Sequence, residues 1–239
     1  MRRVYEIDEE GRRYCRPAFW PEQQTFWPDQ PVAATLTMPI DMTDADSFRK
    51  EMSERNKAHI TLTSLVIKAT ADVLEDFPIM SGTWLSKDKI WVPHPGEICI
   101  LFVIPKGDSI ALSWIEKASQ KTLLEISQEL NAQIEEIKSE IEVTHGEWGP
   151  PQPSFYIANV GTIGPVELAS SNWFPSSITG ELVIYAMSEK PVVKNNQIQI
   201  RKVMNVASLF DHRAMQANTP IEFLNELKRS LEEPSTYLI

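Results

Sequence analysis

Cysteine is nearly absent from this chain, and its two cysteines, Cys15 and Cys99, are far apart and lack CxxC spacing. No apolar N-terminal segment of signal-peptide type accompanies them, so they read as reduced thiols of a cytoplasmic protein. Long apolar runs are missing too: no stretch approaches the roughly 18 residues of a membrane-spanning helix. There is no Lys/Arg-rich run, and a net charge of −10 argues against a nucleic-acid backbone or an anionic membrane as partner. No Gly/Ser linker, internal repeat or low-complexity tract divides the chain, and no metal site is expected. What remains is 239 residues, 42% hydrophobic and 23% charged, enough to bury a sizeable core. The reading is an N-terminal arm, residues 1–32, followed by a single domain, 33–239.

The stretch from Arg12 to Pro31 holds five aromatics and four prolines, which suits neither a helix nor a central strand. The first 30 residues are therefore expected to be irregular and to lie across the body or a neighbouring subunit. Alternation from Ala33 to Ile40 predicts a half-buried strand. A helix should start at Asp41-Met-Thr-Asp, with Thr43 as N-cap, and reach about Asn56. A second should start at a Thr61 cap, with Leu62, Leu65, Val66, Ala69, Val73 and Leu74 at helical spacing up to Phe77-Pro78. Strands are predicted at 87–91, 97–104 and 109–115, with a turn at Pro105–Asp108. An acidic-faced helix follows at about 122–141, then a loop from His145 to Pro153. Further strands are predicted at 154–160, 182–188 and 202–210. Thr219-Pro220-Ile221-Glu222 reads as a capping box opening the last helix, which Pro234 ends. This mixed order, with few simple βαβ units, argues for α+β layers.

Between the last strand and the last helix stands DHRAMQA, Asp211 to Ala217. Of the four histidines, only His212 has a setting that suits chemistry. The string DHRAMQANTPIEFLNELKRSLEEP resembles the DHRxxDGA…FL..LK..LE.P end of the acyltransferase core of 2-oxo acid dehydrogenase complexes. Chloramphenicol acetyltransferase, a related fold, shares the HxxxDG pattern. FYIANVGTIG resembles that family's FTISNLGMFG, AMSEKPVV its GASEK strand end, and SLVIKATADVLEDFP its FLIKAAALALKEFP helix. The block PKGDSIALSWIEKASQKTLLEISQEL also has its counterpart. The segments occur in the family's order over roughly 33–239.

The resemblance implies a chloramphenicol acetyltransferase-like two-layer α+β fold, with a mixed sheet covered by helices, in a trimer. It also implies sites between subunits, where a histidine deprotonates an attacking hydroxyl or thiol and a serine or threonine hydroxyl holds the oxyanion of an acyl-CoA thioester. Carried over, His212 is the general base. Two positions depart from the pattern. Ala158 replaces the serine of the SN pair, which leaves the oxyanion to the Asn159 amide or the Tyr156 hydroxyl. Against those roles, Asn159 could brace its turn and Tyr156 could be core. Gln216-Ala217 replaces Asp-Gly, so Gln216 needs a different partner, and Ala217 lacks glycine's access to positive φ. The aromatics of Asn172–Ser177 could contact substrate or pack. Phe19, Trp20, Phe26 and Trp27 could cap the acceptor mouth or pack against a neighbour.

The reading is a stand-alone acyltransferase moving an acyl group, acetyl for preference, to a small-molecule or carrier-bound hydroxyl or thiol acceptor, as in natural-product biosynthesis. Acetyl-CoA and CoA would be substrate and product, with no permanent cofactor. No lipoyl or subunit-binding domain precedes the core in this sequence. The alternatives are a degenerate, non-catalytic trimeric binding protein, or a site repurposed for elimination or hydrolysis.

Overall fold

The computed structural model describes residues 4–17, 32–106, 109–139, 152–168 and 177–238. The expected roles of Phe19, Trp20, Phe26, Trp27 and Asn172–Ser176 fall outside these residues. In chain order the elements are β1 (Glu6–Ile7), β2 (Arg13–Cys15), β3 (Ala33–Asp41), α1 (Thr43–Asn56), α2 (Leu62–Leu74), β4 (Thr83–Ser86) and β5 (Lys89–Trp91). There follow β6 (Ile100–Lys106), β7 (Ser109–Ile115), α3 (Leu123–Ser139), β8 (Phe155–Asn159), β9 (Gly180–Lys194), β10 (Gln197–Asp211), α4 (Asn218–Glu232) and α5 (Pro234–Tyr237).

Six strands form a mixed sheet in the order β3-β10-β9-β8-β6-β7, with β8 parallel to both β9 and β6 and the other pairs antiparallel. Because successive strand residues point to opposite faces, the apolar residues divide by parity. Phe102, Phe155, Ile157, Leu182, Ile184, Val206 and Phe210 pack in one core with Leu65 of α2, Leu130 of α3 and Phe223 of α4. Tyr156, Val183, Tyr185, Ala207 and Leu209 form a smaller cluster on the opposite face. Helices thus cover one face of the sheet, a two-layer arrangement.

The Thr61 cap is present as expected. Its hydroxyl accepts from Ser64 N at 3.0 Å, and the Ser64 hydroxyl accepts from Thr61 N at 3.0 Å, satisfying two otherwise orphaned donors. Thr43 differs from expectation. It is the first helical residue of α1, no side chain caps that helix, and its hydroxyl accepts from Lys202 N of β10 instead. Asp46 secures the same junction. Burial disfavours its charge, but Lys202, Arg49 and Lys50 outweigh this and hold the carboxyl well below its ordinary range.

The expected capping box at Thr219 is absent. Helix α4 begins one residue earlier, at Asn218, directly out of a turn in which Ala217 is already helical, and no side chain caps it. Pro220 then sits in the first turn, where its missing N–H costs nothing.

The N-terminal stretch is also more ordered than expected. Tyr14 and Cys15 of β2 pair with Trp91 and Ile90, giving a second sheet in the order β1-β2-β5-β4, and Cys15 is buried. Neither β2 nor β4 was expected, and β9 and β10 run well past their predicted ends. Their tip is Asn195-Asn196, both at positive φ, a two-residue connection whose twist matches the flanking strands.

Candidate active site

β10 ends in a tightly held loop that carries the predicted histidine. Asp211 is fully buried, an expensive location for a carboxylate unless it is paired. The Arg213 guanidinium meets it through two nitrogens, at 3.0 and 2.6 Å, and Trp84 Nε1 donates to it at 3.2 Å. Arg213 also lies 5.0 Å from the centre of the Trp84 ring. Backbone N–H groups of Ala214 and Met215 donate to the Asp211 carbonyl and close the turn. His212 is therefore presented from a braced loop. Its own N–H donates to Val32 O at 2.9 Å, and its half-buried ring lies 5.5 Å from that of Phe210.

Two residues predicted to shape this loop behave simply. Gln216 is exposed, and its carbonyl accepts from Thr219 N. Ala217 has φ −59°, so the loop does not call on the left-handed region that glycine would open.

β8 carries the other predicted residues and divides them between faces. Asn159 shares the helix-facing parity of Phe155 and Ile157, and its Nδ2 donates to Thr63 Oγ1 in the first turn of α2 at 2.9 Å. It braces strand against helix, using one of its two amide hydrogens. Ala158 and Tyr156 face the other way. Tyr156 joins the apolar cluster there, and burial, with Glu181 and Cys99 adding to it, raises its phenol above the ordinary value. The turn after β8 requires a glycine at 161. A Cβ there would come within 2.6 Å of backbone atoms of Tyr185 and Ala186, where β9 bulges against β10. Gly161→Ala is expected to cost about 1–3 kcal/mol through this clash, seen as a lower urea midpoint at unchanged slope.

Strand register shows what one chain does not assemble. Asn159 pairs with Ile184, and Ile184 with Val206. His212 lies six positions beyond Val206 (206 to 212), so it is about 20 Å from Asn159 along the strands. The structure brings Tyr156 and Ala158 to one face, places His212 beyond the end of β10, and leaves the two predicted catalytic residues apart. A cavity of about 390 Å³ is lined in part by Trp91, His94, Glu97, Cys99 and Lys117; none of the predicted site residues lines it. Burial pushes the Cys99 thiol up to about 11, which makes it a poor nucleophile.

The sequence reading placed Asp211 and Arg213 in the DHR string without giving them a role, and passed over Trp84 and Thr63. The one signal was a charged residue ending an apolar strand with arginine two positions on.

Residues 29–239 match the family described as 2-oxoacid dehydrogenases acyltransferase (catalytic domain). The chain is 29% identical to the dihydrolipoyllysine-residue acetyltransferase component of the Rickettsia prowazekii pyruvate dehydrogenase complex, over 81% of this chain and 46% of that one. It therefore spans about half the length of that relative. Its fold is similar to that of the Azotobacter vinelandii dihydrolipoamide acetyltransferase, with a TM-score of 0.75, 22% identity and coverage of 87% of this chain and 85% of the other. A chloramphenicol acetyltransferase superposes with a TM-score of 0.56 at 10% identity, covering 99% and 100% of the two chains. The architecture is thus the chloramphenicol acetyltransferase-like α+β fold, and the chain belongs to the family of 2-oxoacid dehydrogenase acyltransferase catalytic domains.

Proposed function

We propose that this protein transfers an acyl group, acetyl for preference, from a CoA thioester to a small hydroxyl or thiol acceptor, with His212 as general base. The observation that carries this reading is the braced presentation of His212 in a chain of this family. The imidazole takes the proton of the acceptor O–H or S–H, and the acceptor attacks the thioester carbonyl. The tetrahedral oxyanion then collapses, the carbon–sulfur bond breaks, and CoA leaves as the thiol after taking the proton back from His212.

In the Azotobacter enzyme, a serine, a histidine and an asparagine four residues after the histidine are the residues examined for a role in the catalytic mechanism. Four residues after His212 stands Gln216. The carboxamide is therefore retained, one methylene longer, which lessens the weight of the departure from aspartate. The serine has no such substitute at 158.

The separation of Asn159 from His212 supports a site completed between copies of the chain, and the far end of the β9–β10 hairpin supports a trimer. There Val193, Ile198 and Ile200 are 73–78% exposed, an apolar stripe suited to burial against another copy.

The test is acceptor-dependent CoA release from acetyl-CoA, with dihydrolipoamide and small alcohols as acceptors, alongside light scattering for the assembly. The wild type should turn over slowly, and Ala158→Ser should speed it by about 10²–10³-fold, the usual value of one oxyanion donor. Activity seen only in the Ala158→Ser/Gln216→Asp protein would replace this reading with the second one, a non-catalytic trimeric binding protein, which the alanine at 158 favours.

A further inference from the structure

His212 has one neighbour on each side in the chain, and a single side chain touches both. The Trp84 indole N–H donates to Asp211 Oδ2 at 3.2 Å, and the Arg213 guanidinium carbon lies 5.0 Å from the centre of the same ring. That distance is within the range at which a cation is attracted to an aromatic face. The Arg213 backbone N–H adds a further tie, donating to Asp211 Oδ1 at 2.9 Å. Trp84 is held independently of this loop. It is half-buried on β4, where it pairs with Ile90 of β5, and its backbone N–H donates to Ser177 O at 2.8 Å.

The strand that carries the indole and the strand end that precedes the histidine also share a buried support. Gly82 N donates to the hydroxyl of fully buried Thr179 at 2.8 Å, and the Thr179 carbonyl accepts from Asp211 N at 3.0 Å. The fold therefore sets the distance between β4 and the end of β10, and the indole works from a fixed base. Backbone geometry fixes a side chain's Cα–Cβ bond and restricts its rotamers. With Asp211 and Arg213 tied to one ring, the backbone of His212 has little freedom between them. Gln216, where the family pattern has aspartate, is exposed, and its side chain makes no hydrogen bond among the described residues. The hold on this loop thus falls to Asp211, Arg213 and Trp84.

We propose that Trp84 is a positioning residue for acyl transfer: its indole fixes the chain on both sides of His212 and so sets the direction from which the imidazole meets the acceptor proton. This rests on the acyl-transfer reading given above. Trp84 takes no proton and touches no reacting atom in this scheme; it acts through Asp211 and Arg213. A base displaced by a fraction of an ångström still binds its loop partners but transfers the proton less often, so the effect belongs in kcat.

Trp84→Phe keeps an aromatic face for Arg213 and removes the N–H. Its kcat for acceptor-dependent CoA release should fall by about 10–10²-fold, the scale of a misplacement of up to about 1 Å, with KM and CoA affinity unchanged. The decisive readout is the same substitution made in His212→Ala. If Trp84 acts through the histidine, the residual rate there should change by less than about twofold. An unchanged kcat in the single variant overturns the proposal, and so does an equal loss in both backgrounds, which marks a merely structural role. Should Trp84→Phe fail to fold, 3-benzothienylalanine at position 84, with sulfur in place of the N–H and the ring size kept, carries the same comparison. If the wild type releases no CoA, the acyl-transfer reading fails separately, and hydrogen exchange reads the hold on the loop. The amides of Ala214 and Met215, bonded to the Asp211 carbonyl, should then exchange at least about tenfold faster in Trp84→Phe; unchanged exchange ends the role of the indole.

Discussion

His212→Ala is expected to lower acceptor-dependent CoA release by about 10²–10⁴-fold, the contribution of a placed general base. The loop's main supports should survive the change. The loop is held by Asp211, Arg213 and Trp84, and the 212 backbone bond to Val32 does not involve the imidazole. The ring also packs against Phe210. Loss of rate with an unchanged urea midpoint and unchanged CoA affinity by calorimetry would therefore isolate proton transfer. A variant that keeps its rate would remove His212 from the mechanism. A variant that unfolds would make the histidine structural.

The second large effect concerns stability. Arg213→Met should destabilise the protein by about 3–5 kcal/mol, because it strips the counter-charge from a carboxylate with no solvent exposure. The Trp84 indole would remain as a neutral donor, too little to balance a full charge. The double variant Asp211→Asn/Arg213→Met should recover much of the loss, since the cost lies in the unpaired charge rather than in the missing bridge. Lys138–Glu135, both exposed on α3, is the control, and its removal should change stability by less than about 1 kcal/mol. Urea midpoints measure all three, and equal losses from the single and double variants would refute the charge argument.

Legibility in the sequence followed the range of the interactions. The Thr61 cap could be read because its partner, Ser64, is three residues away. Thr43 could not, because Lys202 of β10 claims its hydroxyl across the fold. The start of α4 was missed for a similar reason: the turn after His212 is set by Asp211, so the helix begins before its apparent cap. β2 and β4 are too short for a periodic signal and exist through pairing with β5. Within the site, residue identity at 158, 159, 212 and 216 was visible, while register was not. Only the pairing of β8, β9 and β10 reveals that Asn159 and His212 occupy different levels of the sheet.

β8 sends Asn159 toward α2 and Ala158 out the other side. Adjacent residues of one short motif therefore answer to different physical constraints. A change at 159 tests the junction between strand and helix, whereas position 158 can gain or lose a hydroxyl without disturbing that junction. On the acyl-transfer reading proposed above, the fold thus lets the oxyanion hydroxyl be lost or restored at 158 while the junction made by Asn159 stays the same.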